Sequence, residues 1–284
     1  MKILITGING QVGHALMQQL KDHELIGLTR KDCDLTKPDQ IRQVIDQYQP
    51  DLIINPAAYT KVDQAEDEPE LAFLINRDAP SVMAEKAREY DIPFIHFSTD
   101  YVFDGKKGGA YKEDDSANPL GVYGQSKLAG EEAIKAVGGK FYIFRTSWVY
   151  SDIGHNFYLT MKHLSIEREV LSVVADQVGV PTSSEFIAKQ IKNIIPGLET
   201  ATPGIYHLVP NGHCSWHCLA KAILREVTPE FDETKIFPIK SNDYLTKVRR
   251  PLNSVLDNRK IKAIFMLEFG SWKSELKKHI DFHL

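Results

Sequence analysis

Lys2-Ile3-Leu4-Ile5-Thr6-Gly7-Ile8-Asn9-Gly10-Gln11-Val12-Gly13 is an apolar run that breaks into a glycine-spaced turn, and helical spacing follows, with Val12, Leu16 and Leu20 on one face. Small residues let the backbone turn sharply and approach an anion. The helix that opens there offers unpaired N–H groups and the positive end of its dipole. The spacing is G-x-x-G-x-x-G rather than G-x-G-x-x-G, so its position between strand and helix is what marks a dinucleotide site. Gly7, Asn9, Gly10, Gln11, Val12 and Gly13 are the expected contacts to that cofactor.

Outward from this turn, strands and helices alternate. Strands are expected over 2–6, 24–29, 51–55, 93–98 and 141–146, and helices over 13–21, 38–48, 69–90 and 123–136. Pro38 falls early in its helix, where its missing N–H costs least. The alternation predicts βαβ units in a doubly wound parallel sheet, a Rossmann-type α/β fold. After about residue 151 the regularity weakens, with strand-like runs at 170–175 and 204–209 and helices near 185–195 and 215–227. Residues 1–150 are therefore expected to form the dinucleotide-binding core. Residues 151–284 are expected to form a smaller substrate-binding lobe, some of whose segments return to the core.

Composition narrows the function classes. The 284 residues carry a net charge of -4 without a basic block, which argues against nucleic acid or an anionic membrane as partner. No apolar run approaches the ~20 residues of a membrane span. The N-terminus lacks the small-residue cleavage site of a signal peptide. Cys33, Cys214 and Cys218 make no disulfide framework. A cytoplasmic protein is expected. His213-Cys214 and His217-Cys218 do not match a zinc-ligand spacing, and Ser215 reads as a helix N-cap, so no metal site is expected.

The second strand ends in Thr29-Arg30-Lys31, where an NAD-selective site tends to carry an acid. Arg30 suits a 2′-phosphate and favours NADPH, with NADH remaining possible. Asp34 and Leu35 would edge the adenine pocket. Ala57, Ala58, Tyr59 and Thr60 would lie over the phosphates and ribose.

Reducing a carbonyl requires a proton for the developing alkoxide, and a phenol near an ammonium can supply it. Tyr and Lys at i and i+4 share a helix face. The spacing occurs twice, as Tyr123…Lys127 and Tyr158…Lys162. Tyr123 opens the helix between the fourth and fifth strands, so Tyr123 is the expected acid and Lys127 its tuning cation and a holder of the nicotinamide ribose. Tyr158 reads as a packing residue. Ser98 and Thr99 end the fourth strand, where a parallel sheet lines its ligand crevice. A hydroxyl there can hydrogen-bond the substrate carbonyl together with Tyr123.

Taken together, residues 7–13, 56–60, 98–103 and 122–131 resemble the extended short-chain dehydrogenase/reductases. Phe144-Arg145-Thr146-Ser147-Trp148-Val149-Tyr150, Asp176-Gln177-Val178-Gly179-Val180-Pro181-Thr182 and Arg250-Pro251-Leu252-Asn253-Ser254 are similar to the branch that reduces dTDP-linked 4-keto sugars. That resemblance covers nearly the whole chain. It implies a dTDP-sugar substrate, Thr99 as the third catalytic residue, and substrate contacts from Thr99, Asp100, Tyr101, Trp148, Asn156 and Arg250. It is compatible with a monomer or a homodimer. Two rivals share these motifs: a sugar-nucleotide epimerase or dehydratase, and a regulatory subunit that binds a dinucleotide without catalysis.

Overall fold

Uninterrupted apolar runs bury strands on both faces, and the computed structural model, which describes residues 1–283, shows where they go. The first five strands are β1 (Lys2–Thr6), β2 (Glu24–Leu28), β3 (Leu52–Asn55), β4 (Phe94–Thr99) and β5 (Phe141–Thr146). Short strands follow: β6 (Val149–Tyr150), β7 (Leu171–Val174), β8 (Val178–Gly179) and β9 (Thr182–Ser183). Then come β10 (Gly204–His207), β11 (Cys214–Ser215) and β12 (Ile236–Ile239). Six of them form a parallel sheet in the order β10-β5-β4-β3-β1-β2. The chain goes from β1 outward to β2 on one side and then to β3, β4 and β5 on the other, so the order reverses between β1 and β3, which opens a crevice at the carboxyl ends there.

The helices are α1 (Gln11–Gln19), α2 (Pro38–Tyr48), α3 (Pro69–Phe73), α4 (Ala79–Glu89), α5 (Val122–Val137), α6 (Phe157–Glu167), α7 (Ser184–Ile194), α8 (Trp216–Val227), α9 (Arg259–Phe265) and α10 (Trp272–His283). Leu16 of α1 and Phe186, Ile187 and Ile191 of α7 cover one face of the sheet with Ile3, Ile5 and Ile95. Ile41 of α2, Met83 of α4 and Ile134 of α5 cover the other with Leu4, Ile53 and Ile143. A third core joins Tyr158, Leu171, Leu219, Ile223, Trp272 and Leu276 in the C-terminal part. Among the described residues no helix is long and apolar enough to cross a membrane.

Three local features depart from the sequence reading. The first helix starts at Gln11, because Gly10 is its extended N-cap. The helix expected over 69–90 is interrupted by a π-helical turn at Leu74–Asp78, which widens around the buried Asn76. The helices α6, α9 and α10 fall where no helix was expected. A cap signal was available for α6, since the Asn156 carboxamide accepts from Leu159 N at 3.0 Å. Tyr158 on that helix is buried against Tyr150 and His279. Ser215 caps α8 by accepting from Cys218 N at 3.1 Å, and His217 lies 2.9 Å from the Ile236 carbonyl.

Candidate active site

The glycine turn is a backbone cradle. Gly7 has φ +58, and a Cβ there would meet Ala57 Cβ at 2.8 Å. A Cβ on Gly13 would meet the Gly7 carbonyl oxygen at 2.3 Å. Side chains are excluded from both positions by close approach, which is the signature of a turn that leaves room for phosphate. Beside it a cleft of about 450 Å³ is lined by Gly7, Arg30, Asp34, Leu35, Ala57, Ala58, Tyr59 and Thr60, among others. Arg30 is exposed at this cleft, and Asn9 and Gly10 are exposed at the turn. The Asp34 carboxylate accepts from the Thr36 N–H and hydroxyl, and these bonds, with Arg30 nearby, hold it below the usual carboxylate range.

Four of the expected cofactor residues have side chains engaged within the protein, Tyr59 still at the cleft wall. Gln11 Oε1 accepts from Ser151 Oγ at 3.0 Å and Asn156 Nδ2 at 2.9 Å, bracing the 151–156 loop. Val12 packs against the core behind the turn. Tyr59 donates its hydroxyl to Glu68 at 2.7 Å. Ser98 donates to Glu131 at 2.5 Å, on the α5 side of β4. Gln11, Tyr59 and Ser98 are thus engaged with protein partners, and any role of Val12 at the phosphates is a backbone role.

The catalytic corner forms where β4 ends and α5 begins. Thr99 is buried and caps a short 3-10 turn, accepting from Tyr101 N at 3.2 Å and donating to Asp100 at 3.1 Å. Tyr123 sits in the first turn of α5 and its ring meets the edge of Tyr101 at 5.7 Å. A Cβ on Gly124 would reach the Tyr101 carbonyl oxygen at 2.2 Å, so glycine lets the helix dock this closely. Burial pushes the Tyr123 hydroxyl well above its ordinary range, with the neighbouring Thr99 hydroxyl acting against it. Lys127 is buried, and burial lowers its ammonium to about 8 against the pull of Glu131. Its Nζ donates to the Phe97 carbonyl at 2.6 Å and lies 3.1 Å from His96 Nε2. The expected lowering of the phenol by this lysine is therefore absent in this arrangement. Desolvation dominates Tyr123, and Lys127 spends its hydrogen bonds on β4.

The expected substrate residues fall into three places. Asp100 and Tyr101 stand with Thr99. Burial raises the Asp100 carboxyl to about 6, and its Oδ2 has no hydrogen-bond partner. Arg250 reaches this group from the C-terminal part, stacked over Tyr101 at 5.6 Å and paired with Asp63 at 2.5 Å. Trp148 follows β5 and stacks on Trp216 with ring centroids 3.5 Å apart and planes 8° apart. Its backbone is left-handed, at φ 47, and Gly179 lies directly beneath the indole. Asn156 lies apart from these, at the glycine turn beside Gln11.

Several residues that shape the corner were not singled out from the sequence. Asn76 accepts from Tyr59 N at 2.8 Å and donates to Ser126 Oγ at 3.0 Å, tying the 56–60 loop to α5. Thr6, Asn55 and His96 run in a buried hydrogen-bonded row to Lys127. Burial and the Lys127 charge keep His96 neutral, well below its ordinary value. Beneath them Arg145 and Glu131 form a buried two-point pair at 2.8 and 2.6 Å. Only spacing on α5 could have signalled Glu131, which stands one turn after Lys127 on the same face.

A family model described as the RmlD substrate binding domain matches residues 1–283. The chain is 40% identical to dTDP-4-dehydrorhamnose reductase of Burkholderia thailandensis, over 96% of each chain. It is 41% identical to dTDP-4-dehydrorhamnose reductase of Aggregatibacter actinomycetemcomitans, over 97% of each. It superimposes with a TM-score of 0.93, at 34% identity and 99% coverage of each chain, on the crystal structure of dTDP-4-dehydrorhamnose reductase from Bacillus anthracis in complex with NADP.

Proposed function

The chain belongs to the RmlD substrate binding domain family, and from that premise we propose that it is an NADPH-dependent reductase that converts the 4-keto group of dTDP-4-dehydro-L-rhamnose to the alcohol of dTDP-L-rhamnose. The observation that carries this reading is the placement of Thr99 at the carboxyl end of β4 and of Tyr123 and Lys127 on one face of the α5 that follows, with Lys127 bonded to the Phe97 carbonyl of β4, in a sheet whose first turn is a glycine cradle.

The cradle fits a dinucleotide, because Gly7 and Gly13 hold the backbone where side chains cannot enter, and Arg30 is exposed beside it for a 2′-phosphate. When bound, NADPH supplies the hydride. Tyr123 keeps its proton at neutral pH, because burial opposes the phenolate. Its hydroxyl and that of Thr99 hydrogen-bond the substrate oxygen, and the proton passes from Tyr123 as that oxygen gains negative charge. A developing alkoxide is more basic than a phenolate, so the raised phenol still gives up its proton downhill. Lys127, one helical turn on from Tyr123, is held by the Phe97 carbonyl and His96 and brings a positive charge to the same helix face.

Tyr101, Trp148 and Arg250 form the sugar-nucleotide side in this reading. Trp148, packed between Trp216 and Gly179, offers an apolar ring edge to the deoxysugar, and the Arg250 fork is suited to diphosphate oxygens. Residues 1–150 hold the cofactor, 151–284 supply most of the substrate lobe, and the protein works in the cytoplasm, in keeping with its three free cysteines. The test is turnover of enzymatically prepared dTDP-4-dehydro-L-rhamnose, followed by loss of reduced-nicotinamide absorbance and identification of the product. Formation of dTDP-L-rhamnose with one NADPH consumed per product is expected. Folded protein that binds NADPH and leaves this sugar unchanged would overturn the assignment.

A further inference from the structure

A second group of ligating side chains lies where the last helix closes over the C-terminal part. His279 and His283 stand one turn apart on α10 and leave the same face. They meet Asp152, from the loop after β6, and Glu185, from the first turn of α7. His283 Nδ1 is 2.6 Å from Asp152 Oδ2, and His279 Nε2 is 3.7 Å from Asp152 Oδ1. One ligand atom from each of Asp152, His279 and His283 lies within 4.8 Å of the others.

His279 is 1% exposed, and its Nε2 is buried without a hydrogen-bond partner. An unsatisfied buried ring nitrogen is costly and calls for a physical reason. Its other nitrogen, Nδ1, lies 2.9 Å from Glu185 Oε2. A carboxylate at that position fixes the proton on Nδ1 and leaves the Nε2 lone pair aimed at Asp152. The carboxylate–histidine pair is the usual second layer of a metal site.

We propose that Asp152, His279 and His283 form a binding site for a divalent cation of the zinc class, with Glu185 orienting His279. Two imidazoles and one carboxylate, with a further position for water, match the ligand preference of zinc and differ from the all-oxygen sets of calcium and magnesium. Zinc–ligand bonds of about 2.0–2.2 Å place tetrahedral ligand atoms roughly 3.3–3.6 Å apart. The 3.7 Å gap at His279 is close to that, and the 2.6 Å contact at His283 needs only a small opening. The ion would tie α10 to the 151–156 loop. Ser151 and Asn156 of that loop both donate to Gln11 in the glycine turn. The site is thus a clamp on the segment that braces the cofactor cradle. Without an ion the same groups make only histidine–carboxylate pairs.

The test uses untagged full-length protein, stripped with chelator and titrated with Zn²⁺ and, separately, Co²⁺. Wild type is expected to take up one equivalent, to give visible Co²⁺ ligand-field bands, and to melt at a higher temperature with Zn²⁺. Asp152→Asn and His283→Ala, on different elements and both partly exposed, should each abolish stoichiometric uptake and the thermal shift while circular dichroism stays native. Glu185→Gln should weaken uptake by about 10–100-fold. Uptake well below one equivalent in wild type would overturn the proposal. So would binding that survives both Asp152→Asn and His283→Ala, or binding lost only on Cys218→Ser, which would move the ion to the start of α8.

Discussion

The glycine turn and the catalytic corner are both assigned to one reaction, yet they are built from different materials. The turn is backbone: close approaches at Gly7 and Gly13, with Arg30, itself exposed, as the expected side-chain partner of a 2′-phosphate. The corner is side chain and charge. Asp100, Lys127, Glu131 and Arg145 are all buried within two strand ends and one helix. A backbone site can be altered at its rim with little effect on folding. A buried electrostatic site couples recognition to stability and to pH, because each group is held in its charge state by the others.

Glu131→Ala should break that contrast most severely. It leaves the Arg145 guanidinium buried without its two-point partner and removes the acceptor of Ser98. Loss of one member of a buried pair costs about 3–5 kcal/mol, read as a lowered denaturation midpoint. Asp100→Asn should act next, and with a pH signature. Burial raises the folded carboxyl from 3.8 to about 6. The folded state therefore holds a proton that the unfolded chain has lost in that window. The contribution to stability is full below about pH 4 and is lost as pH rises through about 6. Asparagine removes this loss, so the variant should gain on the order of 3 kcal/mol relative to wild type between about pH 4 and pH 7, seen as a flatter dependence of Tm on pH. Arg30→Ala, at the turn, should leave stability within about 0.5 kcal/mol and reduce the preference for NADPH over NADH about tenfold, measured by cofactor titration. A large stability loss there would erase the distinction between the two regions.

The same contrast explains what was legible in the sequence. Backbone requirements act locally, so Gly7, Gly10 and Gly13 after an apolar run marked both the turn and the parallel sheet. The Tyr123–Lys127 pair was legible because i and i+4 share a helix face. What lay beyond was set by contacts across the fold. His96 and Lys127 are 31 positions apart, and the Asp63–Arg250 pair joins positions 187 apart. Spacing along one element carries no sign of either. The lowering of the Tyr123 pKa was expected from charge proximity alone, whereas burial, which no local pattern reports, dominates it. Of the C-terminal helices, those near 185–195 and 215–227 were legible, whereas α6, α9 and α10 were missed for a related reason. The apolar face of α6 is weakly defined, and its stability comes from packing on α8 and from the Asn156 cap.

The central claim is that Tyr123 is the proton donor to the substrate oxygen, and single-turnover reduction by wild type and Tyr123→Phe tests it most directly. The account predicts a rate lower by about 10²–10⁴-fold in the variant, with NADPH affinity and thermal midpoint unchanged. A variant that reduces the sugar within a few-fold of the wild-type rate would contradict it and place the acid on another residue.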